Sequence, residues 1–148
     1  MKKRFVVKKL VESYEIQKSY DSRNYLEVVF LCRTYLESWL LEYIFAILYP
    51  TVAGKGKGSR EFIESRFNSM FIQLDWLLKQ GHLSKNDFEN INRVRRFCDQ
   101  ILRKGDVFKV VKIEELDKFI DVSLHYCQKL KNMTRATIEK ATGQKIQL

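Results

Sequence analysis

The sequence predicts an all-α fold, an antiparallel bundle of four to five helices in a single domain. Three observations predict it. The 148 residues include one Pro and six Gly, too few turn-forming residues to build an all-β chain of that length. Apolar residues recur at helical spacing through four segments parted by short breaks. Ten Phe, seven Tyr and two Trp supply enough apolar surface to bury a core, which excludes a disordered class.

The first segment runs from about Asp21 to Tyr49, with Tyr25, Val28, Val29, Cys32, Tyr35, Leu36, Trp39, Leu40, Tyr43, Ile44 and Ile47 on a broad helical stripe. Pro50 is expected to end it. Residues 51–58, TVAGKGKG, read as a linker. A second helix is expected from Ser59, an N-cap with Glu61 in the first turn, to Gly81, a left-handed cap. Ile63, Phe67, Met70, Phe71, Leu74, Leu77 and Leu78 form its buried face.

The sharpest local signal is Leu83-Ser84-Lys85-Asn86-Asp87-Phe88. Ser84 can cap a third helix with Asp87 at its third position, and Leu83 can pack on Phe88 as a hydrophobic staple. That helix carries Ile91, Val94, Cys98 and Ile101 inward and ends near Gly105. A fourth covers about Ile113 to Glu139, turning Leu116, Ile120, Ser123, Leu124, Cys127, Leu130 and Thr134 to the core. Residues 106–111 read as a short extended or irregular connection. In domain terms, 1–18 is a basic N-terminal arm or short helix, 19–140 the bundle and 141–148 a frayed tail.

Lys and Arg total 27 against 18 acidic residues, a net charge of +9. Such a balance points to RNA, other nucleic acid or another anionic surface as partner. Cys32, Cys98 and Cys127 are odd in number and form no C-x-x-C pair. They read as buried thiols of a cytoplasmic protein without disulfides, zinc or any other cofactor. Met1 to Leu10 lacks the apolar core of a signal peptide. Trp39 to Tyr49 carries Glu42 and falls short of the roughly 20 apolar residues of a membrane span, so no membrane is expected.

The basic excess concentrates in residues 1–18 and on the third helix. At about 100° per residue, Arg93, Arg96, Gln100, Arg103 and Lys104 fall opposite Ile91, Val94 and Cys98. Guanidinium groups pair bidentately with phosphates, so this stripe can follow a nucleic-acid backbone without reading bases; a merely solvated helix face has the same pattern. Lys55 and Lys57 in the glycine loop are auxiliary phosphate contacts at most, because a Walker loop needs a strand before it and G-K-[ST] at its end. His82 and His125 have no partner at a metal-ligand or triad spacing. Trp39, Trp76 and the Tyr residues sit at core or interface positions rather than forming a base-stacking platform.

The order of Asp21-Ser-Arg-Asn-Tyr-Leu-Glu-Val-Val-Phe-Leu, Tyr35-Leu-Glu-Ser-Trp-Leu-Leu-Glu, Gly81-His-Leu-Ser-Lys-Asn-Asp-Phe and Ile91-Asn-Arg-Val-Arg-Arg resembles the HEPN superfamily of helical bundles, in the branch similar to the mannitol operon repressor. The resemblance spans about Asp21 to Leu130. It implies a homodimer and, in many members, an RNA-cleaving Arg-polar-His motif on the third helix. Here those positions fall on Cys98, Asp99 and Arg103. Arg cannot exchange a proton near neutral pH, so the resemblance implies a catalytically silent member with Asp99 and Arg103 left as a polar pair.

Three functions follow as expectations. The first is a non-catalytic RNA or polyanion binder using Arg93, Arg96, Arg103 and Lys104, as a homodimer. The second is a protein-interaction module, repressor-like or paired with a nucleotidyltransferase. The third, ranked last, is a divergent ribonuclease in which His82 or His125 replaces the family's His.

Overall fold

A computed structural model of the chain describes residues 13–52, 58–104 and 112–146. Among these residues there are six helices and no strand. They are α1 over 13–21, α2 Tyr25–Val52, α3 Gly58–Arg66, α4 Met70–Lys79, α5 Lys85–Lys104 and α6 Ile113–Thr142. The expected all-α bundle forms, with six helices among the described residues: α1 precedes the long first helix, which starts at Tyr25 rather than Asp21, and the helix expected from Ser59 to Gly81 is broken in two.

The first break falls at 22–24. Arg23 adopts a left-handed φ of +59°, its N–H bonds Tyr20 O at 3.0 Å, and the N–H of Asn24 bonds Ser19 O at 2.9 Å. These paired reverse bonds close α1 as a Schellman turn. Asn24 then caps α2: its Oδ1 accepts from the Glu27 N–H at 3.4 Å, and its Nδ2 donates to Glu27 Oε2 at 2.7 Å. The polar run that looked like the start of a long helix therefore satisfies one helix end and the next helix start together.

The second break divides the helix expected from Ser59 to Gly81. Ser69 has extended backbone and its side chain accepts from the Ile72 N–H at 3.2 Å, capping α4. The carbonyl of Phe67, freed by the break, accepts from the buried Gln73 Nε2 at 2.9 Å. The break turns α4 so that Met70, Gln73, Leu74 and Leu77 face inward. Phe71, expected in the core, is consequently 48% exposed.

Helix α2 also runs through Pro50 to Val52 rather than stopping before the proline. So close to a helix end, Pro forfeits a single ladder bond and the remaining turn persists. Gly81 behaves as expected: at φ +76° its N–H meets Leu78 O at 3.1 Å while His82 N–H meets Leu77 O at 2.9 Å, the same closure seen at Arg23. Helix α6 ends on Gly143 at φ +72°, whose N–H bonds Glu139 O at 2.8 Å.

Helix α2 is central and touches α3, α4, α5 and α6. Val28, Val29, Cys32, Leu36, Trp39, Leu40 and Ile44 on it are buried, and they meet Ile91, Cys98 and Ile101 of α5 and Leu116, Cys127 and Leu130 of α6 in one cluster. The three cysteines are buried, as expected. Burial pushes the Cys98 thiol up to about 12 and the Cys32 thiol higher still. No helix of the described residues is long and apolar enough to cross a membrane.

Candidate nucleic-acid interface

Helix α5 starts where the capping signal placed it. Ser84 Oγ accepts from the Asp87 N–H at 3.1 Å, Leu83 is buried, and Ile91, Val94, Cys98 and Ile101 face the core. With that face fixed, the opposite one is fixed by helical geometry. Arg93, Arg96, Gln100, Arg103 and Lys104 are all exposed.

Among the described residues, some arginines are held by carboxylates and those of the stripe are not. Arg33 Nη1 on α2 bonds Asp99 Oδ1 on α5 at 2.5 Å. Arg95 reaches Asp99 Oδ2 at 3.2 Å and lies 5.3 Å over the Phe71 ring. Arg60 of α3 pairs with Glu42 of α2. These guanidinium groups join helices. By contrast, among the described residues none of Arg93, Arg96, Arg103 and Lys104 lies within ion-pair distance of a carboxylate. Arg93 Nη1 donates only to Asn90 Oδ1, at 3.3 Å.

The expected Asp99–Arg103 pair does not form. Asp99 turns toward α2 and is taken by Arg33 and Arg95, which leaves Arg103 to solvent. Lys55 and Lys57, and the basic residues of segment 1–12, lie outside the described residues.

Beside the stripe, α5 and α6 run antiparallel. Asp87 faces Lys129, Asn90 faces Tyr126 and Phe97 faces Phe119. Along that seam lies a cleft of about 780 Å³, with Arg93, Val94 and Phe97 on one wall and Phe119, Val122 and His125 on the other. The Phe97 and Phe119 rings stack at 4.5 Å between centroids.

One end of the cleft is closed by a polar network that no local sequence signal announced. Tyr126 Oη donates to Asp87 Oδ1 at 3.0 Å, Asn90 Nδ2 donates to Tyr126 Oη at 2.8 Å, and Lys129 Nζ meets Asp87 Oδ2 at 2.8 Å. Burial pushes the Asp87 carboxyl up, but the hydrogen bonds from Lys129 and Tyr126 outweigh it and hold its pKa below the usual carboxylate value. The sequence shows Asp87 as a capping residue and is silent on Tyr126 and Lys129.

The histidines occupy different settings. His82, half-buried in the turn before α5, stacks on Trp76 at 5.9 Å, and its carbonyl accepts from Tyr43 Oη at 2.9 Å. His125 is exposed on the cleft wall, with its ring edge-on to Tyr126. No group of three His, Cys, Asp or Glu side chains that could hold a metal occurs among the described residues. Trp39 is fully buried, and Trp76 packs edge-on against Phe67 at 5.2 Å.

A scan against protein-family models found no match for the chain, and searches of curated proteins and of solved structures found none either.

Proposed function

We propose that this chain is a helical bundle that binds RNA or another polyanion through the outer face of α5 and performs no chemistry of its own. The observation that carries this reading is the division among its cations. Arg33, Arg60 and Arg95 are engaged by carboxylates, whereas Arg93, Arg96, Arg103 and Lys104 share one exposed helix face without one. Exposed guanidinium groups on one straight helix match a run of phosphates, and their affinity comes from counterion release.

The proposal includes pairing with a second copy of the chain. Its support is a row of exposed apolar side chains around the Arg33–Asp99–Arg95 cluster. Phe30 is 54% exposed one turn before Arg33, Leu102 lies one turn after Asp99, and Phe71 sits under Arg95. Exposed aromatic rings bordering a partly exposed ion cluster are characteristic of association surfaces. That patch equally favours a different protein as partner, which is the second reading. The proposal keeps the sequence's resemblance to the HEPN superfamily.

Titration of the purified protein with labelled single-stranded RNA across salt concentrations tests the first reading, with anisotropy and cleavage followed in the same samples. Four phosphate contacts give a slope of log affinity against log salt of about −3. Reversing Arg93 and Arg96 to Glu should at least halve it. Absence of binding at low salt removes the proposal, and an unchanged slope in the variant removes the assigned face. Cleavage abolished by His125→Ala or His82→Ala would restore the ribonuclease reading. Sedimentation at micromolar concentration tests the pairing, and a monomer there removes it.

A further inference from the structure

Arg93 belongs both to the basic stripe and to the wall of the α5–α6 cleft, yet the two surfaces differ in character. Along the cleft the charges balance: Arg93, Lys118 and Lys129 against Asp87, Glu115 and Asp121. Between them the lining is apolar, with the half-buried Phe97 stacked on the buried Phe119 and with the 37%-exposed Val122. A phosphate gains little in a neutral, apolar slot and finds Arg96, Arg103 and Lys104 outside it. An unpaired base is flat, uncharged and apolar on its faces, and suits the slot.

We propose that the ligand is single-stranded RNA, with its phosphates along Arg93, Arg96 and Arg103 and a base turned past Arg93 into the α5–α6 cleft. This deepens the polyanion reading and rests on it. The cleft volume of about 780 Å³ lies in the range of small-molecule sites and admits a nucleobase. Duplex RNA keeps its bases stacked inside and offers only backbone to the stripe. An acidic amphipathic helix would seek the same apolar floor, but Glu115 and Asp121 on the α6 wall oppose its carboxylates, while an RNA backbone runs along the α5 side.

The test compares oligo(A), an abasic chain of equal length and a duplex of equal length as ligands of the full chain, by fluorescence anisotropy. Base stacking in the cleft should make oligo(A) bind about tenfold tighter than the abasic chain or the duplex, with the same salt slope for the two single strands. Val122→Trp, at an exposed position on the α6 wall, should bring oligo(A) down to the abasic affinity while leaving the slope and the unfolding midpoint unchanged. Equal affinity for the base-bearing and abasic chains overturns the cleft assignment even if binding stays salt-dependent. Tighter binding of an acidic amphipathic peptide than of oligo(A) overturns the choice of RNA. Loss of salt-dependent binding to every polynucleotide is a different failure, that of the stripe reading itself.

Discussion

Asp87 on α5 and Lys129 on α6 meet at 2.8 Å with the Asp87 side chain 8% exposed and the Lys129 side chain 43% exposed. The buried partner is the one that cannot be left alone. Asp87→Ala should destabilise the fold by roughly 1.5–3 kcal/mol, the range for hydrogen bonds to a charged group, because it strips both Tyr126 Oη and Lys129 Nζ of their acceptor. The Asp87 pKa is lowered in the folded chain, so its contribution is complete above the ordinary carboxylate value and is lost as pH falls through the folded value. The Lys129 pKa is raised, chiefly by its hydrogen bond to Asp87, so its contribution is complete below the ordinary lysine value and is lost as pH rises through the raised one. Urea midpoints against pH should therefore show an acid limb that flattens in Asp87→Asn. A variant with the parent's acid limb would show that Asp87 does not titrate this way.

Arg23 sits where a glycine fits best. A left-handed residue with a β-carbon costs roughly 1–2 kcal/mol, and Arg23 pays it at φ +59° to close α1. Glycine removes that cost and adds about 0.5–1 kcal/mol of backbone entropy in the unfolded chain. Arg23→Gly should thus stabilise by under about 1 kcal/mol, read as a raised Tm. Gly81 gives the inverse: at φ +76° with nothing near a β-carbon, Gly81→Ala should cost about 1 kcal/mol from backbone strain alone. A Gly81→Ala protein as stable as the parent would contradict the left-handed geometry.

What was legible in the sequence depended on how far apart the interacting residues lie. The Ser84 cap and the outward face of Arg93, Arg96 and Arg103 need only one helix and its period, and both could be placed from spacing. The start of α2 is written locally in Asn24-x-x-Glu27, a capping pattern just ahead of the apolar period that begins at Tyr25. The α3–α4 break carries neither Gly nor Pro. Its local mark is the Ser69 cap, and it is completed by Gln73 supplying a donor to Phe67 O inside the fold, a bond that the apolar period does not announce. The Arg33–Asp99 and Asp87–Tyr126–Lys129 contacts join residues many turns apart in sequence and exist only once helices are packed. The Asp99–Arg103 pair implied by the family resemblance therefore misses both Arg95, four residues earlier on the same helix, and Arg33 on another helix.

The three thiols should be silent in the native protein. Cys32, Cys98 and Cys127 are buried, and burial pushes the Cys98 pKa up to about 12, so neither access nor thiolate is available to a disulfide reagent at mildly alkaline pH. Labelling should proceed at the rate of unfolding and become fast for all three in denaturant. Rapid modification of any one in the native state would contradict its burial.

The division between paired and unpaired cations predicts that binding and stability separate by residue. Arg33 bridges α2 to Asp99, so Arg33→Met removes one of the partners holding that carboxylate and should lower stability while leaving the salt slope for RNA unchanged. Arg103 and Lys104 bond to no carboxylate among the described residues and project from the last turn of α5. Replacing either with Ala should leave stability within about 0.5 kcal/mol of the parent, as for other surface sites, and should lower the slope by about 0.7, one phosphate contact on a single strand. Paired measurements of urea midpoint and salt-dependent anisotropy on the same preparations decide it. If Arg33→Met lowers the slope as much as Arg103→Ala does, the recognition surface extends over the Arg33–Asp99 side of the bundle, and the outer face of α5 loses its special standing.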